Sequence, residues 1–140
     1  MAETIKFTVY GSPVPQGSKQ PYTFKDKVTG QIRASLSESG GKNLAAWRND
    51  ISVIAQRYRP EKPFDSAVGI KLIFYSLRPQ SVNEKKRPYP SVRPDIDKLS
   101  RAVLDGLKGK VFTDDSRVCN LIALKRYDNT PRVEVEVWEL

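Results

Sequence analysis

The run at residues 68–75, VGIKLIFY, constrains this chain most. It is apolar and rich in β-branched and aromatic side chains, with one lysine, and so reads as a strand well buried inside a sheet. Residues 5–10, IKFTVY, alternate and end at Gly11, which predicts a first strand. Residues 118–127 (VCNLIALKRY) and 132–138 (RVEVEVW) read as an antiparallel pair joined by Asp128-Asn129-Thr130-Pro131. In the last strand Val133, Val135 and Val137 should face inward while Glu134 and Glu136 face water. A short hairpin is expected from residues 22–25 and 31–36 around Val28-Thr29-Gly30.

Two stretches have helical period instead. Asn43 is placed to cap a helix running to about Tyr58, with Leu44, Trp47, Ile51 and Ile54 on one face, and Arg59-Pro60 stops it. Pro94 opens a second helix to about Leu107, whose apolar positions Ile96, Leu99, Val103 and Leu107 step by 3, 4 and 4. Gly106 and Gly109 suit its end. With 140 residues the chain makes one domain, residues 1–140. The expected fold is α+β: a mixed β-sheet of about five strands with two helices packed on one face. Two basic loops, at about 12–42 and 78–93, interrupt it; the start of the first, residues 13–19, and the whole of the second read as mobile.

The absent residues narrow the chemistry. There is no histidine, which excludes Ser-His-Asp and Cys-His catalysis, a histidine base and an HEXXH zinc site. The single thiol, Cys119, makes neither an internal disulfide nor a cysteine-rich metal cluster, and fits a reducing cytoplasm. The start, MAETIKFTVYG, has no basic segment followed by a long apolar run, so no secretory signal is expected. No stretch approaches the roughly 18 apolar residues of a membrane span. Chemistry must come from carboxylates, lysine, arginine, hydroxyls or a carboxylate-bound metal.

The charge is segregated. The net charge of +8 points to a polyanionic partner, most often nucleic acid. Residues 1–93 hold 16 basic and 7 acidic side chains, whereas residues 94–115 hold four basic residues and five of the nine aspartates. Those five are Asp95, Asp97, Asp105, Asp114 and Asp115. Capping and turns account for part of such a clump, because aspartate favours both.

Inside a helix, positions i and i+2 diverge, but on an extended approach to a helix they point the same way. Pro94 favours such an approach, so Asp95 and Asp97 could face one spot at the helix N-terminus. Simple capping needs only one of them. Asp97, Arg101 and Asp105 lie four apart on one polar stripe, which a solvated face with ion pairs also explains. Asp114-Asp115 alone would make a turn. If Asp95, Asp97 and Asp115 converge, unit charges about 4 Å apart repel by roughly 4 kcal/mol at an effective dielectric near 20. Such a cluster holds protons or a hard cation, and oxygen-only ligands favour Mg²⁺, with Mn²⁺ as a substitute. A carboxylate-held Mg²⁺ in a basic protein suits phosphodiester hydrolysis. Arg101, one turn beyond Asp97, is placed to neutralise charge in the transition state.

The segment RPDIDKLSRAVLDGL at residues 93–107, followed by VFTDDS at 111–116, resembles the signature of the RusA family of Holliday-junction resolvases. That signature is D-x-D-(N)-L-x-K-x-x-x-D-x-L, then D-D-x-x-V after a short gap. The opening GSPVPQGSK at residues 11–19, the Lys42-Asn43-Leu44 and Trp47-Arg48 pieces and the valine-rich last strand are similar too. The resemblance implies a Mg²⁺-dependent endonuclease of bacterial or phage origin, nicking two opposed strands of a four-way DNA junction as a homodimer. Asp95, Asp97 and Asp115 match the family's metal-binding aspartates. Arg101 falls where the family has a catalytic lysine, which keeps charge but not the compact ammonium. Lys98 falls where asparagine is common and adds a second cation beside the metal. A catalytically impaired junction-binding protein of the same fold is the alternative. Two symmetric cuts are most simply made by a two-fold dimer, with the first helix at Trp47 and Ile51 as a candidate surface.

For DNA contact, Lys85-Lys86-Arg87 is the leading run, flanked by Arg78 and Arg93, with Lys19, Lys25 and Lys27 as a second cluster. Lys98 adds a contact beside the metal. Tyr89 and Tyr22 are placed to stack on exposed bases. Solvated loops would have the same composition.

Overall fold

The computed structural model describes residues 3–17, 19–25, 32–38 and 41–140, with side chains described over 3–17 and 42–140. The strands are β1 (Thr4–Tyr10), β2 (Lys19–Lys25), β3 (Ile32–Glu38), β4 (Val68–Ser76), β5 (Val118–Tyr127) and β6 (Arg132–Glu139). The helices are α1 (Gly41–Tyr58) and α2 (Ile96–Leu107), and a 3₁₀ turn spans Asp115–Arg117. The architecture is α+β. The mixed sheet has four strands rather than five, in the order β1-β6-β4-β5, and β2 and β3 form a separate antiparallel pair. The residues between β2 and β3, including Lys27 and the expected turn at Val28-Thr29-Gly30, lie outside the described residues.

The expectation that β5 and β6 pair with each other is corrected. Strand β4 lies between them, antiparallel to β6 and parallel to β5. The reason is in its sequence: Ile70, Leu72 and Phe74 are buried on one face and Val68 and Gly69 are also buried. A strand that apolar is most stable with neighbours on both sides. The chain therefore runs from β4 through α2 into β5, as a parallel pair requires.

The core lies between one face of the sheet and the two helices. Ile5, Phe7, Val9, Ile70, Leu72, Phe74, Val133, Val135 and Val137 meet Leu44, Trp47, Ile51 and Ala55 of α1 and Leu99, Ala102, Val103 and Leu107 of α2. Ile54 packs at the margin, while Ile96, expected on the apolar face, is 37% exposed. Asn43 lies inside the first turn of α1, which begins at Gly41. The helices touch closely at Gly106, where a Cβ would stand 2.7 Å from Ile51 Cγ2. Ser52 Oγ donates to the Gly106 carbonyl at 2.9 Å across the same contact.

Both loops expected to be mobile are anchored. Gly11, at φ +132°, turns the chain out of β1, and the Gln16 N–H then donates to the Lys98 carbonyl at 2.9 Å. In the second loop, the Arg78 guanidinium donates to the Arg87 carbonyl and lies over the Tyr127 ring, 4.3 Å from its centre. Asn83 Oδ1 accepts from the Lys86 N–H at 2.8 Å. An arginine thus folds the loop back on itself, which a reading of proline and charge content misses.

Candidate active site

Helix α2 starts one residue after Asp95, which keeps an extended backbone (φ −72°, ψ 140°) as the N-cap. Pro94 therefore precedes the helix instead of occupying its first turn. The Asp95 carboxylate makes no capping hydrogen bond, although aspartate is among the best capping residues. Its exposed carboxylate is left for other work. Asp97, also exposed, sits in the first turn, where the helix dipole and unpaired N–H groups favour negative charge.

Asp95 and Asp97 line one groove of about 560 Å³ with Tyr89, Arg93, Lys125 and Arg126. Asp95 also lines a second groove of about 690 Å³ with Gln16, Asn43, Arg93 and Lys98. It stands on the ridge between two basic channels. Lys125 Nζ donates to the carbonyls of Val92 at 2.7 Å and Pro94 at 2.8 Å. Those acceptors are neutral, so the ammonium both holds the segment leading to Asp95 and keeps its positive charge there.

Topology explains the placement. In an open sheet, ligand sites form beyond the carboxyl ends of parallel strands, where the crossover helix also presents its N-terminus. Lys125 pairs with Phe74 near the carboxyl ends of β5 and β4, and α2 begins beside them. Sequence reading missed Lys125 and Arg126, whose signal was a basic pair ending an otherwise apolar strand.

Arg101 is exposed one turn beyond Asp97 and shares a third groove, of about 440 Å³, with Asp97, Leu104, Leu121 and Ala123. Asp115 lies elsewhere. The charges acting on it are Asp105, Lys108 and Asp114, all at the far end of α2 or in the turn after it. Asp97 and Asp105 are eight residues apart, about 12 Å along a helix. Among the described residues, no group of three or more carboxylates is close enough to hold a metal ion together. Asp95 and Asp97 are brought together in one groove, and Asp115 does not join them within one chain. The parallel pairing is the cause: α2 starts at the carboxyl end of β4 and β5, whereas the Asp114-Asp115 turn feeds the amino end of β5.

The two aspartates of that turn differ. Asp114 accepts from the Ser116 N–H at 3.1 Å and pairs with Lys108 Nζ at 3.2 Å. These contacts, those with Ser116 foremost, hold its carboxyl well below the usual range. Burial, then repulsion from Asp105, pushes Asp115 up. Asp115 Oδ1 finds no hydrogen-bond partner. Asp105 was legible in the sequence only as part of an ion-pair stripe, and its opposition to Asp115 is a tertiary contact.

Of the expected DNA contacts, Lys85, Lys86 and Arg93 are exposed, and Lys98 is half-buried at its groove. Arg87 is half-buried, with Nη1 donating to Tyr127 Oη at 3.2 Å, so its guanidinium is partly committed to the fold. Tyr89 is 57% exposed with the Arg126 guanidinium 5.0 Å from its ring centre. The side chains of Lys19, Tyr22 and Lys25 lie outside the described residues.

Asp95 and Asp97 thus stand among Arg93, Lys98, Lys125 and Arg126, which sets carboxylate oxygens and cations side by side in a chain with no histidine. Residues 13–138 match the family model Endodeoxyribonuclease RusA. The chain is 31% identical over 147 residues to the uncharacterized protein YqaN of Bacillus subtilis (strain 168), covering 99% of this chain and 98% of that one. It is 32% identical over 130 residues to the crossover junction endodeoxyribonuclease rusA of Lactococcus phage r1t, covering 87% and 92%. The chain belongs to the RusA endodeoxyribonuclease family and is an enzyme that cuts DNA internally. No helix among the described residues is long and apolar enough to cross a membrane.

Proposed function

We propose that this chain resolves four-way DNA junctions as a Mg²⁺-dependent homodimer, one nick per protomer on opposed strands, in DNA recombination and repair. The observation carrying the metal site is the Asp95 carboxylate, which stands at a helix cap without capping, beside Asp97 in a cation-rimmed groove. Mg²⁺ is typically bound by one or two carboxylates, water and substrate phosphate, which is the donor set that this pair offers to DNA. When bound, the ion would activate water and stabilise charge on the scissile phosphate. Arg93, Lys98, Lys125 and Arg126 bind the flanking phosphates, and Arg101 offsets the charge that develops during cleavage. The phage relative's name supports the junction as substrate. Mn²⁺ takes the same oxygen ligands. Asp115 keeps a role in the reaction apart from ligation by the Asp95–Asp97 pair of its own chain.

A DNA-binding protein without cleavage gains nothing from uncommitted carboxylates among its phosphate contacts, so the nuclease is favoured over the impaired binder. Asp95→Asn and Asp97→Asn should each abolish Mg²⁺-dependent cleavage of a synthetic four-way junction and leave binding equal or tighter. Undiminished cleavage by either variant would overturn the assignment. Comparison with linear duplex and flap DNA tests the substrate.

A further inference from the structure

Next to the segment that carries Asp95 lies a separate cavity of about 210 Å³, at the carboxyl ends of β4 and β5. Its walls are apolar and stiff. Pro13, Pro79, Pro90 and Pro94 line it, and proline has a fixed φ and no N–H to offer. Phe74 and Leu99 connect it to the buried core. Leu77 and Val92, 59% and 45% exposed, keep apolar surface open to solvent there. Tyr127 supplies a ring fixed by two arginines: the Arg78 guanidinium lies 4.3 Å from its centre and Arg87 Nη1 donates to its hydroxyl. The folding back of the 78–93 loop thus builds a wall of this cavity.

Size narrows the occupant. A cavity of about 150 Å³ takes a benzene-sized ring, whereas sites for drug-sized ligands begin at about 300 Å³. A single heteroaromatic base falls between them. Arg93 and Lys125 line both this cavity and the Asp95–Asp97 groove, so the two are continuous. Lys125 Nζ spends two of its three donors on the Val92 and Pro94 carbonyls, and the third is left for a base carbonyl or ring nitrogen. An apolar hollow beside cations fits a flat ring tethered to a phosphate, and a nucleotide is such a molecule. A protein segment would fill the hollow too, but would bring no phosphate to Arg93 and Lys125.

We infer that this cavity takes one nucleobase, unstacked from the DNA strand that lies along the Asp95–Asp97 groove. The inference rests on the junction-resolving reading for its substrate. Taking a base out of a duplex costs unpairing and unstacking, and costs least where pairing is already interrupted. Bases at a branch point are in that position. The cavity therefore favours a strand at a branch over the same strand in a continuous duplex. Leu77, Val92 and Tyr127 thereby determine specificity through the base, apart from the groups that hold phosphate.

The test uses the full chain and synthetic four-way junctions without divalent metal, so that no strand is cut. 2-Aminopurine, which brightens on leaving a base stack, replaces each base beside the branch in turn. One position should brighten about twofold or more on binding, and the same base in a linear duplex should stay dim. Leu77→Trp and Val92→Trp each place an indole in the cavity from an exposed position, so that misfolding of one leaves the other to be read. In the folded variants the brightening should be lost and the preference for junction over duplex should fall about tenfold. A junction bound with no bright position, or brightening that survives in the folded variants, overturns the proposal. Equal affinity for junction and duplex, with one base brightening in both, would sink the junction reading and keep the cavity as a base site.

Discussion

Two aspartates occupy helix N-cap positions here and behave differently. Asp114 caps its 3₁₀ turn through the Ser116 N–H, whereas Asp95 leaves its carboxylate unspent. The difference has a pH signature. Asp114, Asp65 and Asp128 are all held below the ordinary value of 3.8: Asp114 by Ser116 and Lys108, Asp65 by Thr113 and Arg117, Asp128 chiefly by Arg132. Each binds protons less readily folded than unfolded, so its stabilisation is present above that value and is lost as pH falls through it and below. Urea titrations between about pH 5 and pH 2 should show stability falling with acid, and Asp114→Asn should flatten the fall. Asp115 has the opposite sign: its pKa is raised by burial and by Asp105, so its ionised form costs stability at neutral pH. Asp115→Asn should therefore raise the thermal midpoint at pH 7. It should also lower cleavage, as expected where a carboxylate is retained against stability. A lowered midpoint would refute the reading of its environment.

Among the elements, α1 holds the carboxyl-terminal end of α2. Gly106 is a close contact: a Cβ there meets Ile51 Cγ2 at 2.7 Å, Ile51 Cβ at 2.9 Å and the Arg48 carbonyl at 3.3 Å. Glycine to alanine inside a helix ordinarily gains up to about 1 kcal/mol. Here overpacking of a buried contact, about 1–3 kcal/mol, outweighs that gain. Gly106→Ala should lower urea stability by about 1–2 kcal/mol, and a stabilised variant would show that the helices part easily. The elements themselves were largely legible. The β4 run, the period of α2 and the alternation of β6 follow from side-chain spacing, which is local. The insertion of β4 between β5 and β6 was not legible, because a short connection predicts a hairpin and only competition for the buried central position overrides it.

For the whole molecule, part of the basic excess, Arg93, Lys98, Lys125 and Arg126, lines two grooves beside one carboxylate pair. Lys85 and Lys86 are exposed on the anchored loop, whereas Arg87 is bonded to Tyr127. Replacing both lysines with alanine should weaken junction binding and reduce the slope of log affinity against log salt by about 0.9 per lost phosphate contact. An unchanged slope would remove that loop from the DNA surface. Arg87→Ala should instead act through folding, read as a lowered thermal midpoint.

Residue types and their order limited the chemistry open to this protein: with no histidine and no thiol cluster, the D-x-D pair behind a proline offers only oxygen donors in a basic chain. They also determined which segments become helix and strand, because periodicity is a property of neighbours along the chain. Tertiary structure alone decided which charges meet. It carried Lys125 and Arg126 to Asp95, and it set Asp115 against Asp105. The physical reason is the parallel β4–β5 pairing: a helix joining parallel strands starts at one end of them and finishes at the other. Residues at its two ends are therefore kept a helix length apart, however close they stand in the sequence.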